Sequence, residues 1–158
     1  MDLGSNTWTD AAAAGTDLAL LPVGSTEQHG PHAPLSTDTV LAEAVAAAGA
    51  DAYDDEVVVA PALPFGVSAE HRRFAGTLWL SPDAFRAAVR DVVGSLRHHG
   101  FDRVVLVNGH GGNVDALDEV AASVTREEAA YVVPFTWFRS VDFEAVGAEA
   151  GVESVDMG

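Results

Sequence analysis

Two short stretches of this sequence hold side chains that can bind a metal ion. Glu27 and His29 lie in Gly24 to His32 (GSTEQHGPH), with Asp38 shortly after it, and His110 lies in Asn108 to Asn113 (NGHGGN). In an extended segment Glu27 and His29 are two apart, so their side chains project to the same side and can grip one ion. Asp38 falls at a helix start, where the dipole favours a carboxylate that is still free to bridge metals. His110 is flanked by Gly109 and Gly111, which need no side-chain clearance and let the backbone approach a ligand; both are candidate substrate-binding positions. Carboxylate and imidazole donors suit Zn, Mn, Fe or Co, and three or four of them with an open position describe a catalytic site. Singly, each residue has an ordinary reading: a loop Glu is solvated, a helix-start Asp is a cap, and a His beside Gly bonds the backbone. Their grouping in two loops is what points to metal chemistry.

The elements that must position these loops alternate along the chain. Asp17 to Val23 (DLALLPV) reads as a buried strand ended by Pro22 and Gly24, and Ser36 or Thr37 can cap a helix over about Thr39 to Ala48. Glu56 to Ala60 (EVVVA) is a second strand, and Pro61 to Gly76 is too irregular for an element. Ser81-Pro82-Asp83 opens a helix with Phe85, Val89, Val92, Val93 and Leu96 on one face, and Gly100 ends it. Arg103 to Asn108 is a third strand, Gly109 to Gly112 a tight turn, Leu117, Val120, Ala121 and Val124 stripe another helix, and Tyr131 to Phe135 is a fourth strand. Strands separated by helices require crossovers, which predicts an α/β fold of three layers, α/β/α, with a mostly parallel sheet. Ligands of such a sheet bind beyond the carboxyl ends of its strands, where both loaded loops fall. With no repeat or linker, residues 1–158 read as a single domain.

Composition narrows the function classes. There is no Cys, so any metal must use N and O ligands. Acidic residues outnumber basic ones 24 to 8, giving a net charge of -16, and every basic residue is Arg. That surface repels phosphates, which argues against nucleic acid and anionic membranes as partners. No apolar run approaches the roughly 20 residues of a membrane span, and the first ten residues do not form a secretory signal, so a cytoplasmic location is expected. The carboxylates are spread along the chain, which points to a salt-adapted, halophilic protein. Its melting temperature is expected to rise between dilute buffer and molar KCl; a flat response would contradict this.

The residues themselves carry a resemblance. LPVGSTEQHGPHAPLSTDT at Leu21 to Thr39, VNGHGGN at Val107 to Asn113 and GVSAEHRRFAGTLWLS at Gly66 to Ser81 resemble the creatininase family over nearly the whole chain. The resemblance implies a layered α/β/α fold, a metal-dependent hydrolase of a cyclic or other non-peptide amide, and a ring-shaped homo-oligomer. It places Glu27 and His110 on one ion, His29 on the other and Asp38 between them, with Zn or Mn as the divalent metal, Fe also accommodated, and one or two ions bound. Creatininase itself has a Glu two residues after the second-loop His, where this chain has Gly112. The Gly-Gly form resembles branches that act on a formyl amide or trim a precursor peptide. The family normally continues into a His-Ala-Gly segment ending in Glu-Thr, and Asp156-Met157-Gly158 looks like the lead-in to it. The single domain is thus expected to lack its C-terminal part, with a metal-ligand Glu and a candidate catalytic His.

The implied chemistry is hydrolysis of a small-molecule cyclic or formyl amide by a metal-bound hydroxide, with a general acid protonating the leaving nitrogen. His32 and His71 are the candidate acids, and a structural hydrogen bond suits either equally. His98 and His99 in the last turn of a helix read as surface residues. Trp79, Trp137 and Phe138 can wall a pocket or fill the core, and the core is the favoured place. Two other functions stay open, an inactive metal-binding fragment or remnant and a creatininase-like peptidase. A phosphate-binding module is disfavoured, because no GxGxxG or Walker pattern follows a strand.

Overall fold

The computed structural model describes residues 1–149, so Asp156-Met157-Gly158 lies outside the described residues. Strands β1 (Leu18–Val23), β2 (Val58–Val59), β3 (Arg103–Asn108) and β4 (Tyr131–Thr136) form one parallel sheet in the order β2-β1-β3-β4. Short helix α1 (Trp8–Ala12) precedes the sheet, α2 (Thr37–Ala52) links β1 to β2, and α3 (Pro82–His98) links β2 to β3. Helix α4 (Val114–Arg126) links β3 to β4, and α5 (Phe143–Glu149) follows.

Strand alternation divides the core between two faces. Ala19, Leu21, Val104, Leu106 and Val132 pack with Phe85, Val89 and Leu96 of α3 and Leu117 and Val120 of α4. Leu20 and Val107 turn the other way and meet Ala46 of α2 with Val57. Helices therefore cover both faces of a parallel sheet, the α/β/α layering that the element order predicts. On the α2 side Val133 and Phe135 of β4 stay exposed, because α2 lies over β1 and its immediate neighbours. Among the described residues no helix is long and apolar enough to cross a membrane.

The expected α3 and β3 form as read. Ser81 caps α3 by accepting the Ala84 N–H at 3.3 Å, and Gly100 takes a φ of 97° just beyond its end. Helix α2 is longer than its apolar spacing suggests, since its alanine-rich C-terminal half sustains a helix without a regular stripe. The second strand shrinks to Val58–Val59, and Pro61, which has no N–H, keeps it from running on past Ala60. Trp79 corrects the core expectation: it is 45% exposed, on a segment held at the rim by the Leu78 N–H donating to Thr26 O at 2.9 Å. Trp137 and Phe138 are half-buried and meet edge to face with centroids 5.7 Å apart.

Candidate metal centre

The strand order reverses direction at β1. From β1 the chain passes over one face through α2 to β2, then returns over the opposite face through α3 to β3. The loops leaving β1 and β3 thus part toward opposite layers and open a crevice, the place where such sheets bind ligands. Val23 and Asn108 are register partners at the two strand ends, so the first and second loaded loops emerge side by side. Glycine makes the close fit possible. A Cβ on Gly24 would lie 2.5 Å from Thr39 Cα, and one on Gly109 would overlap the Asp38 carbonyl oxygen and sit 3.0 Å from its carbon. Both strand ends therefore abut the first turn of α2, the turn that carries Asp38.

That carboxylate is divided between two imidazoles. Asp38 Oδ1 is 2.8 Å from His29 Nε2, and Oδ2 is 3.0 Å from His110 Nδ1. His110 Nδ1 is also 3.3 Å from Glu27 Oε1, and Glu27, His29 and Asp38 can each offer a donor atom within 4.8 Å of the others. The far side of each ring bonds a backbone carbonyl: His29 Nδ1 donates to Glu27 O at 3.1 Å, and His110 Nε2 donates to Val67 O at 2.9 Å. Assigned from these partners, the neutral rings carry their protons on the carbonyl side and aim bare nitrogens at carboxylate oxygens. Lone pairs facing anions repel unless a cation lies between them. Glu27, Asp38 and His110 are all buried, and among the described residues Asp38 Oδ2 has no hydrogen-bond partner. A carbonyl fixing the remote nitrogen of each His is also the outer-shell arrangement of metal-binding histidine. The donor set fits a divalent ion of the Zn or Mn kind.

Several residues that sequence reasoning passed over hold this set in place. Ser25 Oγ donates to Glu27 Oε2 at 3.0 Å. Asn113, fully buried, donates to Gly24 O at 3.0 Å and accepts the Val67 N–H at 2.9 Å, so it ties the first loop to the segment that fixes His110. Asn108 accepts the His110 N–H at 3.1 Å and donates to His110 O at 2.8 Å. Both asparagines stand in the NGHGGN run, but an amide is a weak metal ligand, and only the fold reveals them as braces.

His71 joins the cluster from the 3-10 turn Ala69–His71, with Nε2 3.6 Å from Glu27 Oε1. Gln28 determines its proton. The Gly30 N–H donates to Gln28 Oε1 at 3.0 Å, which turns the Gln28 amide nitrogen toward His71 Nδ1 at 3.1 Å. A neutral His71 must then accept at Nδ1 and carry its proton on Nε2, facing Glu27. His32 is exposed and, among the described residues, makes no hydrogen bond or ion pair. Gly109 is buried under α2, whereas Gly111 has open space where a Cβ would stand. His98 and His99 are exposed at the end of α3, as read.

An apolar groove lies elsewhere, under α2 against Leu18, Leu20, Val105 and Val107, and among the described residues no carboxylate or imidazole lines it. Convergent polar groups rather than apolar volume identify the site.

Burial of His110 opposes its protonation, but the hydrogen bond that a protonated Nδ1 would donate to Asp38, the Val67 carbonyl and the charges of Glu27 and Asp38 outweigh it and raise the pKa above 6.5. A raised folded-state pKa gives the metal-free protein stability that is fully present below about 6.5 and lost as pH rises through the folded value. A metal ion competes with the same proton, so metal affinity is expected to rise over that window while the metal-free melting temperature falls. Calorimetric titration at pH 6 and pH 8 checks this, and equal affinities would contradict it.

The family model described as creatinine amidohydrolase matches residues 5–156. A mycofactocin precursor peptide peptidase of Mycolicibacterium smegmatis is 43% identical over 114 residues, covering 70% of this chain and 46% of its own length. A creatinine amidohydrolase of Pseudomonas putida is 34% identical over 119 residues, covering 70% and 45%. The chain thus spans about half the length of the curated relatives it matches. Among solved structures, a creatininase mutant in a Zn–Zn form superposes with a TM-score of 0.80 at 29% identity, covering 99% of this chain and 65% of the other.

Proposed function

Since the chain belongs to the creatininase family, whose members are hydrolases, we propose that it serves a metal-dependent hydrolase of an amide C–N bond. The observation that carries this reading is Asp38, whose two oxygens face two histidines, each backed by a backbone carbonyl. Glu27, Asp38 and His110 would hold one ion, and His29 with Asp38 a second. A divalent ion there supplies a water of lowered pKa and a Lewis acid for the amide carbonyl. His110 and His29 keep their metal-facing nitrogens bare because their other nitrogens are committed to carbonyls. Glu27 is aligned by Ser25. His71 holds a proton on Nε2 at the edge of the cluster and is the residue we assign to protonating the leaving nitrogen; exposed His32, outside the cluster, is not given this role. Gly111 leaves a side-chain-free approach for substrate.

For the substrate, the greater identity to a peptidase favours a peptide amide. The P. putida relative, a creatinine amidohydrolase, supports a cyclic amide as the second reading. A chelator is expected to reduce amine release from one of these amides by at least about 10²-fold, with Mn or Zn restoring it. Ion uptake without turnover on peptide, cyclic and formyl amides alike would instead favour a non-catalytic metal-binding role.

A further inference from the structure

When an amide is hydrolysed the C–N bond breaks, the acyl carbon gains the oxygen of water, and the nitrogen gains a proton and departs as an amine. Whatever is attached to that nitrogen must therefore lie beside the proton donor. His71 is assigned this step under the hydrolase reading, on which the inference rests. Its Nε2 stands 3.6 Å from Glu27 Oε1, and the ring of Phe74 lies with its centroid 6.3 Å from that of His71, tilted by 43°. That separation is within the range of a direct aromatic contact.

Phe74 is 53% exposed, although a phenylalanine ring ordinarily goes to the core. Its segment is nevertheless well held. The Phe74 N–H donates to His71 O at 3.0 Å, and the Thr77 N–H donates to Phe74 O at 3.3 Å. The turn is then pinned to the first loop at two places. Gly76, at a φ of 92°, packs so closely on Leu35 that a Cβ there would lie 2.5 Å from Leu35 Cδ1. The Leu78 N–H donates to Thr26 O at 2.9 Å, and Leu35 O in turn accepts the Glu27 N–H at 3.0 Å. The loop that carries Glu27 thus fixes an exposed aromatic ring against the proton donor. Leu35 and Leu78 are exposed beside it, so three apolar side chains stand at the rim of the centre in a chain of net charge -16.

We propose that Phe74 is a substrate-contact residue, one wall of a subsite that takes an apolar or aromatic side chain on the amine side of the scissile bond. The substrate class is then a peptide whose leaving amine carries a bulky apolar group close to its nitrogen. Such a group removes apolar surface from water by covering the ring, whereas glycine at the same position has nothing to bury.

The test uses the Mn-loaded chain and blocked peptides that differ only in the residue supplying the scissile nitrogen: Phe, Leu, Gly or Asp. Binding is read by calorimetry and cleavage by amine release. The unaltered chain is expected to favour Phe and Leu over Gly by about 10-fold or more. Phe74→Ala is expected to bring the Phe-to-Gly ratio close to one, and Phe74→Leu to keep part of the preference. Mn uptake and circular dichroism check that both variants retain the centre and the fold. A ring that only steadied His71 would, when removed, slow every peptide alike and leave the ratio unchanged, which would overturn the subsite. Equal handling of the Phe and Gly peptides by the unaltered chain would overturn it too. Preference for the Asp peptide would give the specificity to Arg72 and Arg73 of the same turn, with the same consequence. Preferential binding of the Phe peptide without amine release from any of the four would overturn the hydrolase reading and leave the subsite standing.

Discussion

Asp38→Asn is expected to remove metal binding while leaving the metal-free fold in place. Asparagine has nearly the same shape, so the first turn of α2 keeps its seat against Gly24 and Gly109. The centre, however, loses the one carboxylate whose two oxygens face His29 and His110. An amide also presents an N–H group where one of those oxygens stood. Loss of an outer-shell partner alone typically costs 10–100-fold in metal affinity, and loss of this shared donor should exceed that. Stability reports the same effect. An ion at about 100 times its dissociation constant adds about 2.7 kcal/mol, roughly 5–10 °C in melting temperature for a chain of this size. That increment should vanish in Asp38→Asn, and an undiminished metal-induced shift would contradict the assignment.

Gly109→Ala is expected to cost about 3 kcal/mol or more and to lower the melting temperature by roughly 6–12 °C. The added Cβ meets backbone on the far side, the Asp38 carbonyl, with Ala42 Cβ 3.2 Å away, so no side-chain rotation relieves it. Nor can the loop retreat freely, because the Gly109 N–H donates to Val23 O at 2.9 Å and extends the β1–β3 ladder. Either α2 shifts, displacing Asp38, or the strand end does, displacing His110. Metal affinity should therefore fall together with stability. Gly111→Ala meets open space and is the matched control, expected within about 0.5 kcal/mol of the unaltered chain. Equal urea midpoints for the two variants would refute the packing argument.

These two substitutions mark how far the sequence could be read. Strand β3 and the apolar face of α3 were legible because period and capping residues agreed with the tertiary packing. The four ligand-type residues were legible as a group because strand ends in a parallel sheet all deliver their loops to one edge, and Val23 and Asn108 are indeed partners there. Less could be read where a residue's role depends on a segment distant in sequence. Gly109 suggested an open approach to substrate, yet its glycine is required by the carbonyl of Asp38. Pro61 to Gly76 has no period, so nothing local placed Val67 O on His110 or His71 beside Glu27. Trp79 is large and apolar, but a bridge at Leu78 holds it at the rim.

The most direct test of the central claim is diffraction from crystals of this chain grown with Mn or Zn, with anomalous data collected at the metal edge. An anomalous peak is expected within bonding distance of Asp38, Glu27 and His110 Nδ1, with a second beside His29 Nε2. Fully occupied metal elsewhere, with Asp38 still contacting bare His29 and His110, would contradict it.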